Sequence, residues 1–321
     1  MALAWGALLT LTACAGKAPS HTGPEASRPD AERMPFSADS AYAYVRAQVD
    51  MGPRVPGTDA HRACQQWLVG KFKAFGADTV IEQKTTVTAA NGDRLPINNI
   101  LARFNPSAER RLLVAAHYDT RPWADQDPDA ARRAEPFDGA NDGASGVAVA
   151  LELARQLGLE RGATGVDFLM VDAEDYGVSG GDDENSWCLG AQYWIEHQPY
   201  TIADRPEFGI LLDMVGGRDA RFHREYFSAR YVGGPTSRIW AEAARQGLGE
   251  VFVDDVQGAV TDDHLYLFRG GIPTVDIIEC AHPATGSFNP RWHTHSDNID
   301  GIDPSTLGAV GSVVMGVIKK F

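Results

Sequence analysis

Seven side chains carry the combination that metal-assisted acid–base chemistry needs: His117, Asp119, Asp142, Glu174, Asp175, Asp213 and His293. Imidazole with carboxylate, and no cysteine among them, is the donor set of a catalytic zinc site that keeps one position open. Each residue also has a plain explanation taken singly. His117 could be a core histidine, Asp142 a helix cap and Asp213 a hydrogen-bond acceptor behind a site. Taken together at one edge of a fold, so many carboxylates would repel one another by about 4 kcal/mol per close pair near a protein surface. A cation, or shared protons, would have to neutralise them.

Strands must do the gathering. Val166 to Val171 is an apolar run suited to a strand buried on both faces, and it stops on Asp172, Glu174 and Asp175. In open α/β sheets ligand sites form beyond the carboxyl ends of the strands, which is where these acids fall. While the backbone stays extended, Glu174 and Asp175 point to opposite sides, so one could hold a metal and the other move protons. Arg111 to Ala116 is a second buried run, leading into His117-Tyr-Asp119, and Glu207 to Met214 is a third, carrying Asp213 near its end. Ile272 to Ile278 is a fourth, and Thr79 to Val87 and Ile97 to Phe104 also read as strands.

Helices are expected between them. Ser37 to Val49 is amphipathic, and a second helix capped by Thr58 or Asp59 runs through Phe75 to a stop at Gly76. A third opens at Asp142-Gly-Ala-Ser-Gly146. A fourth carries Trp187, Leu189, Tyr193 and Trp194, and others cover Ser237 to Gln246, the stretch after Thr261-Asp-Asp-His264 with Leu265 and Phe268 inward, and Pro304 to Phe321. The alternation predicts a three-layer αβα fold with a mostly parallel central sheet. The long Thr120 to Gly139 loop, with Trp123 and many acids, is unusual inside a domain and is expected to line a site.

A chain of 321 residues with 44% hydrophobic content can bury a large core, and a net charge of -14 argues against nucleic acid or an anionic membrane surface as partner. It is compatible with cationic or amine-bearing substrates. Residues 1–13 read as a signal peptide too short to span a bilayer, and Leu11-Thr-Ala-Cys14 resembles the bacterial lipoprotein cleavage box. Residues 14–36 are then a flexible tether and 37–321 a single catalytic domain. The protein would be exported and lipid-anchored through Cys14 to a bacterial membrane, facing the periplasm or the exterior. Cys64, Cys188 and Cys280 sit among apolar neighbours and read as buried free thiols.

His117-Tyr-Asp119, Asn141-Asp142, Asp172-Ala-Glu174-Asp175, Leu212-Asp213 and Trp292-His293-Thr resemble the zinc aminopeptidase superfamily. Within it, Asp262-Asp263-His264, Phe288 before Trp292, and Ser186-Trp-Cys-Leu-Gly190 are most similar to the glutaminyl-peptide cyclotransferases, over roughly Ser37 to Phe321. The resemblance implies a zinc exopeptidase-like (phosphorylase/hydrolase-like) fold and one Zn²⁺ held by Asp142, Asp175 and His293. It implies Glu174 as general acid/base, with Asp213 and Asp262 in an acid network beside it. One departure is that Asp175 stands where the animal enzymes carry Glu.

The implied reaction closes an N-terminal glutamine of a peptide or protein into pyroglutamate and releases ammonia. The α-amine and γ-carboxamide already share a molecule, so holding the side chain curled supplies most of the proximity. Trp292 and Phe288 could wall the pocket, with Trp187 or Trp123 joining, and Asp263 could meet substrate; water must be kept out or hydrolysis competes. Core packing is the plainer reading for Trp187, Tyr193 and Trp194, capping for Asp262 and Asp263, and a carboxylate hydrogen bond for His264. The main rival is a two-zinc aminopeptidase, with His117 and Asp213 completing a second metal position and Asp142 bridging. A metal-free lipoprotein that binds peptides in an acidic cleft is a third reading.

Overall fold

Apolar runs that demand cover on both faces find it in a six-stranded sheet. In chain order the computed structural model has α1 (Ala38–Val49), α2 (Asp59–Ala74), β1 (Thr79–Thr88), β2 (Arg94–Phe104), β3 (Arg111–His117), α3 (Ala144–Leu159), β4 (Gly165–Val171) and α4 (Leu189–His197). Then follow β5 (Phe208–Leu212), β6 (Phe222–Glu225), α5 (Tyr226–Tyr231), α6 (Gly233–Arg245), β7 (Phe252–Gln257), α7 (Asp263–Arg269), β8 (Thr274–Ile277) and α8 (Pro304–Lys319). The structure describes residues 1–2, 36–180 and 184–321, and the side chain of residue 184 is not among what is described. The chain divides into Met1–Arg33 and Met34–Phe321, and every element belongs to the second unit. The signal segment, Cys14 and nearly all of the tether lie outside the described residues.

The sheet order is β1-β2-β4-β3-β5-β8, with β4, β3, β5 and β8 parallel and β1 and β2 antiparallel at one edge. Period-two alternation splits each central strand between two cores. Leu112, Val114 and Ala116 of β3, with Val166, Phe168 and Met170 of β4, pack under α1, α2, α3, α6 and α8. Leu113, Ala115, Leu169 and Val171 pack with Trp194, Tyr266 and Leu267 of α4 and α7 on the other face. That is the three-layer αβα arrangement expected from the sequence.

From β3 the chain moves to β4 on one side and then to β5 on the other, so the connections diverge above the carboxyl end of β3. A crevice opens at such a switch point, and His117, the acids after β4 and Asp213 after β5 all stand around it. Helix α3 is seated close against β5: a Cβ built on Gly146 would meet the Leu212 carbonyl oxygen at 1.9 Å. Ser145 adds a hydroxyl that donates to the Asn141 carbonyl and accepts from Val215 N–H, while Asn141 Oδ1 accepts from Gly216 N–H. The start of α3 is thereby locked beside the end of β5, which brings Asp142 to Asp213.

Several expectations need correction. The parallel pair β6 and β7 and the short helix α5 were not foreseen, because β6 is four residues long and β7 is mostly exposed and polar, so no alternation marks them. Helix α4 begins after Cys188, whose φ of 56° breaks the backbone, so Trp187 lies outside the helix. Phe268 is 37% exposed and stacks on Tyr231 instead of facing inward, since α7 buries Asp263, His264, Leu265, Tyr266 and Leu267. Cys64, Cys188 and Cys280 are buried free thiols, as read.

Candidate active site

His117 ends β3 with its ring buried among acids. Nε2 lies 3.1 Å from Asp142 Oδ1 and 3.1 Å from Asp213 Oδ1, and Nδ1 lies 3.5 Å from Asp119 Oδ1. Burial alone would push this imidazole down, but the hydrogen bonds to Asp119, Asp142 and Asp213 outweigh it and lift it well above the ordinary histidine value. His117 is therefore a polar hub and not an isolated core histidine. Asp142 is not a cap either: Gly143 takes the N-cap position of α3 and no side chain caps it.

The second group forms one step away. His293 Nε2 stands 3.2 Å from Asp175 Oδ1 and 3.5 Å from Asp142 Oδ2. Asp142, Asp175 and His293 each offer a donor atom within 4.8 Å of the others, and so do His117, Asp142 and Asp213. The residues singled out in the sequence thus converge, with Asp142 common to both groups. Asp142 Oδ2 and both Asp175 carboxylate oxygens are buried without a hydrogen-bond partner. Carboxylate oxygens stripped of water in this way, facing an imidazole nitrogen, form a donor set that fits a divalent zinc ion. Asp297 holds the approach to Asp142, accepting from Asn141 N–H at 2.8 Å and Asp142 N–H at 3.0 Å.

The acids after β4 separate because the backbone turns there. Ala173 has φ 49°, and the Asp119 carboxylate then accepts from Glu174 N–H at 3.1 Å and Asp175 N–H at 3.2 Å. Asp175 is sent toward His293, and Glu174 toward Cys188 and Asp262, all three within 4.8 Å of one another. Asp172 goes elsewhere, bonding His61 at 2.8 Å, Asn98 N–H at 2.7 Å and the Tyr118 hydroxyl, so it ties β4 to β2 and α2 and takes no part in the site.

Desolvation, with Asp262, Asp175 and Asp263 adding repulsion that His117 only partly offsets, raises the Glu174 carboxyl well above its usual range. Asp262 is pushed up to about 7 by burial and by Asp213. Burial also raises Asp213, against the pull of His117. Asp262 caps α7 by accepting from Asp263 N–H at 2.5 Å, so the plain reading and the acid network coexist. Asp263 is fully buried, has both carboxylate oxygens unpartnered and is likewise raised by burial and by Asp262. His264 lies between Glu225 at 3.4 Å and Asp276 at 3.5 Å, beside carboxylates as expected but without the geometry of the hydrogen bond read for it.

Aromatic rings surround His293. Trp292 stacks on it at 3.7 Å between centroids, Trp187 lies roughly parallel at 6.3 Å and Phe137 is at 6.0 Å. Phe288 packs on Trp292 at 4.8 Å, backed by Met214, Val260 and Ile278. Trp187 packs against the edge of a core and also stands beside His293, whereas Trp194 is 1% exposed and is core. Trp123 packs on Tyr176 beside Trp187, with Arg121 between the two tryptophans.

Sequence reasoning missed Arg121, Asp125 and the pairing of Cys188 with Glu174. The only signal was the length and acidity of the Thr120 to Gly139 loop; a thiol among apolar residues gives none.

The sequence matches the profile described as Peptidase family M28 over residues 99–318. Among solved structures it resembles the glutaminyl cyclase of Porphyromonas gingivalis, 47% identical with a TM-score of 0.85, covering 89% of this chain and 98% of that one. It also resembles the Bacteroides thetaiotaomicron glutaminyl cyclase bound to N-acetylhistamine, 45% identical with a TM-score of 0.85 and the same coverage of 89% and 98%. The glutaminyl-peptide cyclotransferase of Bos taurus is 24% identical over 307 residues, 84% of this chain and 78% of that protein. With a three-layer sheet whose switch point gathers His117, Asp142, Asp175, Asp213 and His293, and with a profile match over most of the domain, the chain belongs to peptidase family M28.

Proposed function

We propose that this protein closes the N-terminal glutamine of peptides or proteins into pyroglutamate with release of ammonia. Asp142, Asp175 and His293 hold one zinc ion, and Glu174 moves the proton. When bound, zinc supplies a Lewis acid that polarises the γ-carboxamide carbonyl. The α-amine nitrogen forms a bond to the carboxamide carbon, Cδ, while the bond from that carbon to the amide nitrogen Nε2 breaks. Glu174 accepts the proton shed by the amine and returns it to the departing nitrogen, so no external acid or base is consumed.

A carboxyl raised as Glu174 is raised suits a group that must take and give a proton near neutrality. Asp262 helps to sustain that rise, Asp213 stands behind Asp262, and the Asp263 carboxyl offers an acceptor for the N–H bonds of the substrate amine. Trp292, Phe288 and Trp187 supply apolar walls that hold the glutamine side chain curled and exclude water. The observation that carries the reading is the proximity of Glu174 to Asp262, a carboxylate oxygen of each within 4.8 Å of the other, an acid set against an acid beside the metal ligands. A hydrolytic base needs no such partner, and the likeness to proteins described as glutaminyl cyclases points the same way.

A second reading rests on one observation. His117, Asp142 and Asp213 make a second donor group that shares Asp142, as a two-zinc aminopeptidase requires. Incubating the enzyme with a Gln-initiated peptide, followed by mass spectrometry, separates the two. Loss of ammonia from an otherwise intact peptide supports cyclisation, and release of free glutamine supports the peptidase.

For location, we infer export and a lipid anchor at Cys14, on the strength of Leu11-Thr-Ala-Cys14 alone. Metabolic labelling with a tagged fatty acid tests it, and a Cys14→Ala chain that labels equally would refute it.

A further inference from the structure

The loop from Thr120 to Gly139 is fastened to the segment bearing His293 by three consecutive residues. Asp125 Oδ1 accepts from His293 Nδ1 at 3.0 Å, Gln126 N–H donates to the His293 carbonyl at 3.2 Å, and Asp127 Oδ2 accepts from His295 N–H at 2.9 Å and Nδ1 at 2.7 Å. His293 has φ 54°, a left-handed backbone that a residue with a side chain holds only with outside support.

Asp125 is itself braced. Arg121 meets it with two parallel bonds, Nε to Oδ1 and Nη2 to Oδ2, each 3.1 Å, and the Ser179 hydroxyl donates at 2.5 Å. The Arg121 guanidinium is buried between the rings of Trp123 at 4.9 Å and Trp187 at 4.8 Å. Its Nη1 donates to the carbonyls of Asp175 at 3.2 Å and Gly177 at 3.0 Å. One cation therefore reaches the backbone of the Asp175 segment directly and the His293 ring through Asp125.

Both carboxylate oxygens of Asp125 already accept from Arg121, and the Ser179 hydroxyl donates to Oδ2 as well. Surrounded by donors, Asp125 acts as the acceptor, which places a hydrogen of His293 on Nδ1 and turns Nε2 toward Asp142 and Asp175.

We propose that Asp125, braced by Arg121, is the positioning residue of His293, fixing its tautomer and ring plane, so that the Thr120 to Gly139 loop governs how tightly the site retains its metal. This rests on His293 being a zinc ligand. Asp125 belongs to neither donor group at the metal position, so its removal weakens metal binding more than it weakens the turnover of enzyme saturated with metal.

The test compares zinc affinity of the full chain by chelator competition, and the cobalt(II) absorption spectrum, in wild type, Asp125→Ala, Asp125→Asn and an Asp59→Ala control on the surface. Thermal melting checks that each chain is folded. Asp125→Ala is expected to bind zinc about 10- to 100-fold more weakly, with an altered cobalt spectrum and kcat largely recovered at saturating zinc. Asp125→Asn keeps an acceptor oxygen and should fall between; should Asp125→Ala fail to fold, this isosteric change carries the comparison. A wild-type chain that holds no zinc overturns the ligand assignment and this inference with it. A wild-type chain that holds zinc beside an Asp125→Ala or Asp125→Asn chain of equal affinity and unchanged spectrum overturns the role of Asp125 alone.

Discussion

Oε1 of Glu174 lies 3.4 Å from the Cys188 thiol, and the backbone N–H of the same cysteine donates to the Glu174 carbonyl at 2.9 Å. Cys188 thus fixes Glu174 at both ends and turns its carboxyl away from Asp175 toward the acid pocket. Glu174→Gln keeps the shape and loses the proton site. Turnover should fall about 10²- to 10⁴-fold while zinc, measured by plasma mass spectrometry, stays bound. Zinc loss in this variant would mean that Glu174 and Asp175 have exchanged roles.

Acid repulsion predicts a pH shift with a definite sign. Glu174 must be ionised to accept the amine proton, so activity climbs with pH as it loses its own. Asp262 is one of the groups holding that carboxyl up. Asp262→Asn removes the negative charge, favours the ionised form of Glu174, and should move the acid limb of the kcat/KM profile to lower pH. A limb that stays in place or moves upward would separate Asp262 from the network.

Metal counting distinguishes the two donor groups. If one ion sits among Asp142, Asp175 and His293, then His117→Phe should still copurify with a single zinc, whereas His293→Ala should lose it. Two zinc ions in the wild type, falling to one in His117→Phe, would establish the two-metal peptidase arrangement instead. Chelation should abolish turnover in either case, and readdition of zinc should restore it.

Helix seating is testable through stability. Gly146→Ala would force a Cβ to within 1.9 Å of the Leu212 carbonyl, and neither backbone can yield without moving α3 off β5. A loss of about 3 kcal/mol is expected in denaturant titration, together with weaker zinc binding as Asp142 is drawn from its partners. A variant as stable as the wild type would mean that this close approach does not fix the position of Asp142.

Much of the architecture was legible because buried parallel strands must be apolar throughout and must end abruptly. Val166 to Val171, Arg111 to Ala116 and Glu207 to Met214, of which Phe208–Leu212 is strand, announced themselves in that way, and the chemistry-bearing residues at their ends could be named before any folding. β6 and β7 were not legible, because a short, half-exposed strand such as Phe222-His-Arg-Glu225 carries no periodic signal.

What the sequence by itself determined is the inventory: which strands, which acids and histidines at their ends, and a donor set with more carboxylate than solvent-free packing tolerates. Only the tertiary structure decided the assignments within it. A single left-handed residue, Ala173, sends Asp172 into the scaffold, Glu174 to Cys188 and Asp175 to His293, a division that the sequence offered only through its family resemblance. Likewise Asp125 meets His293 across a long loop, a contact set by loop closure and by the guanidinium of Arg121, for which no local pattern exists to be read.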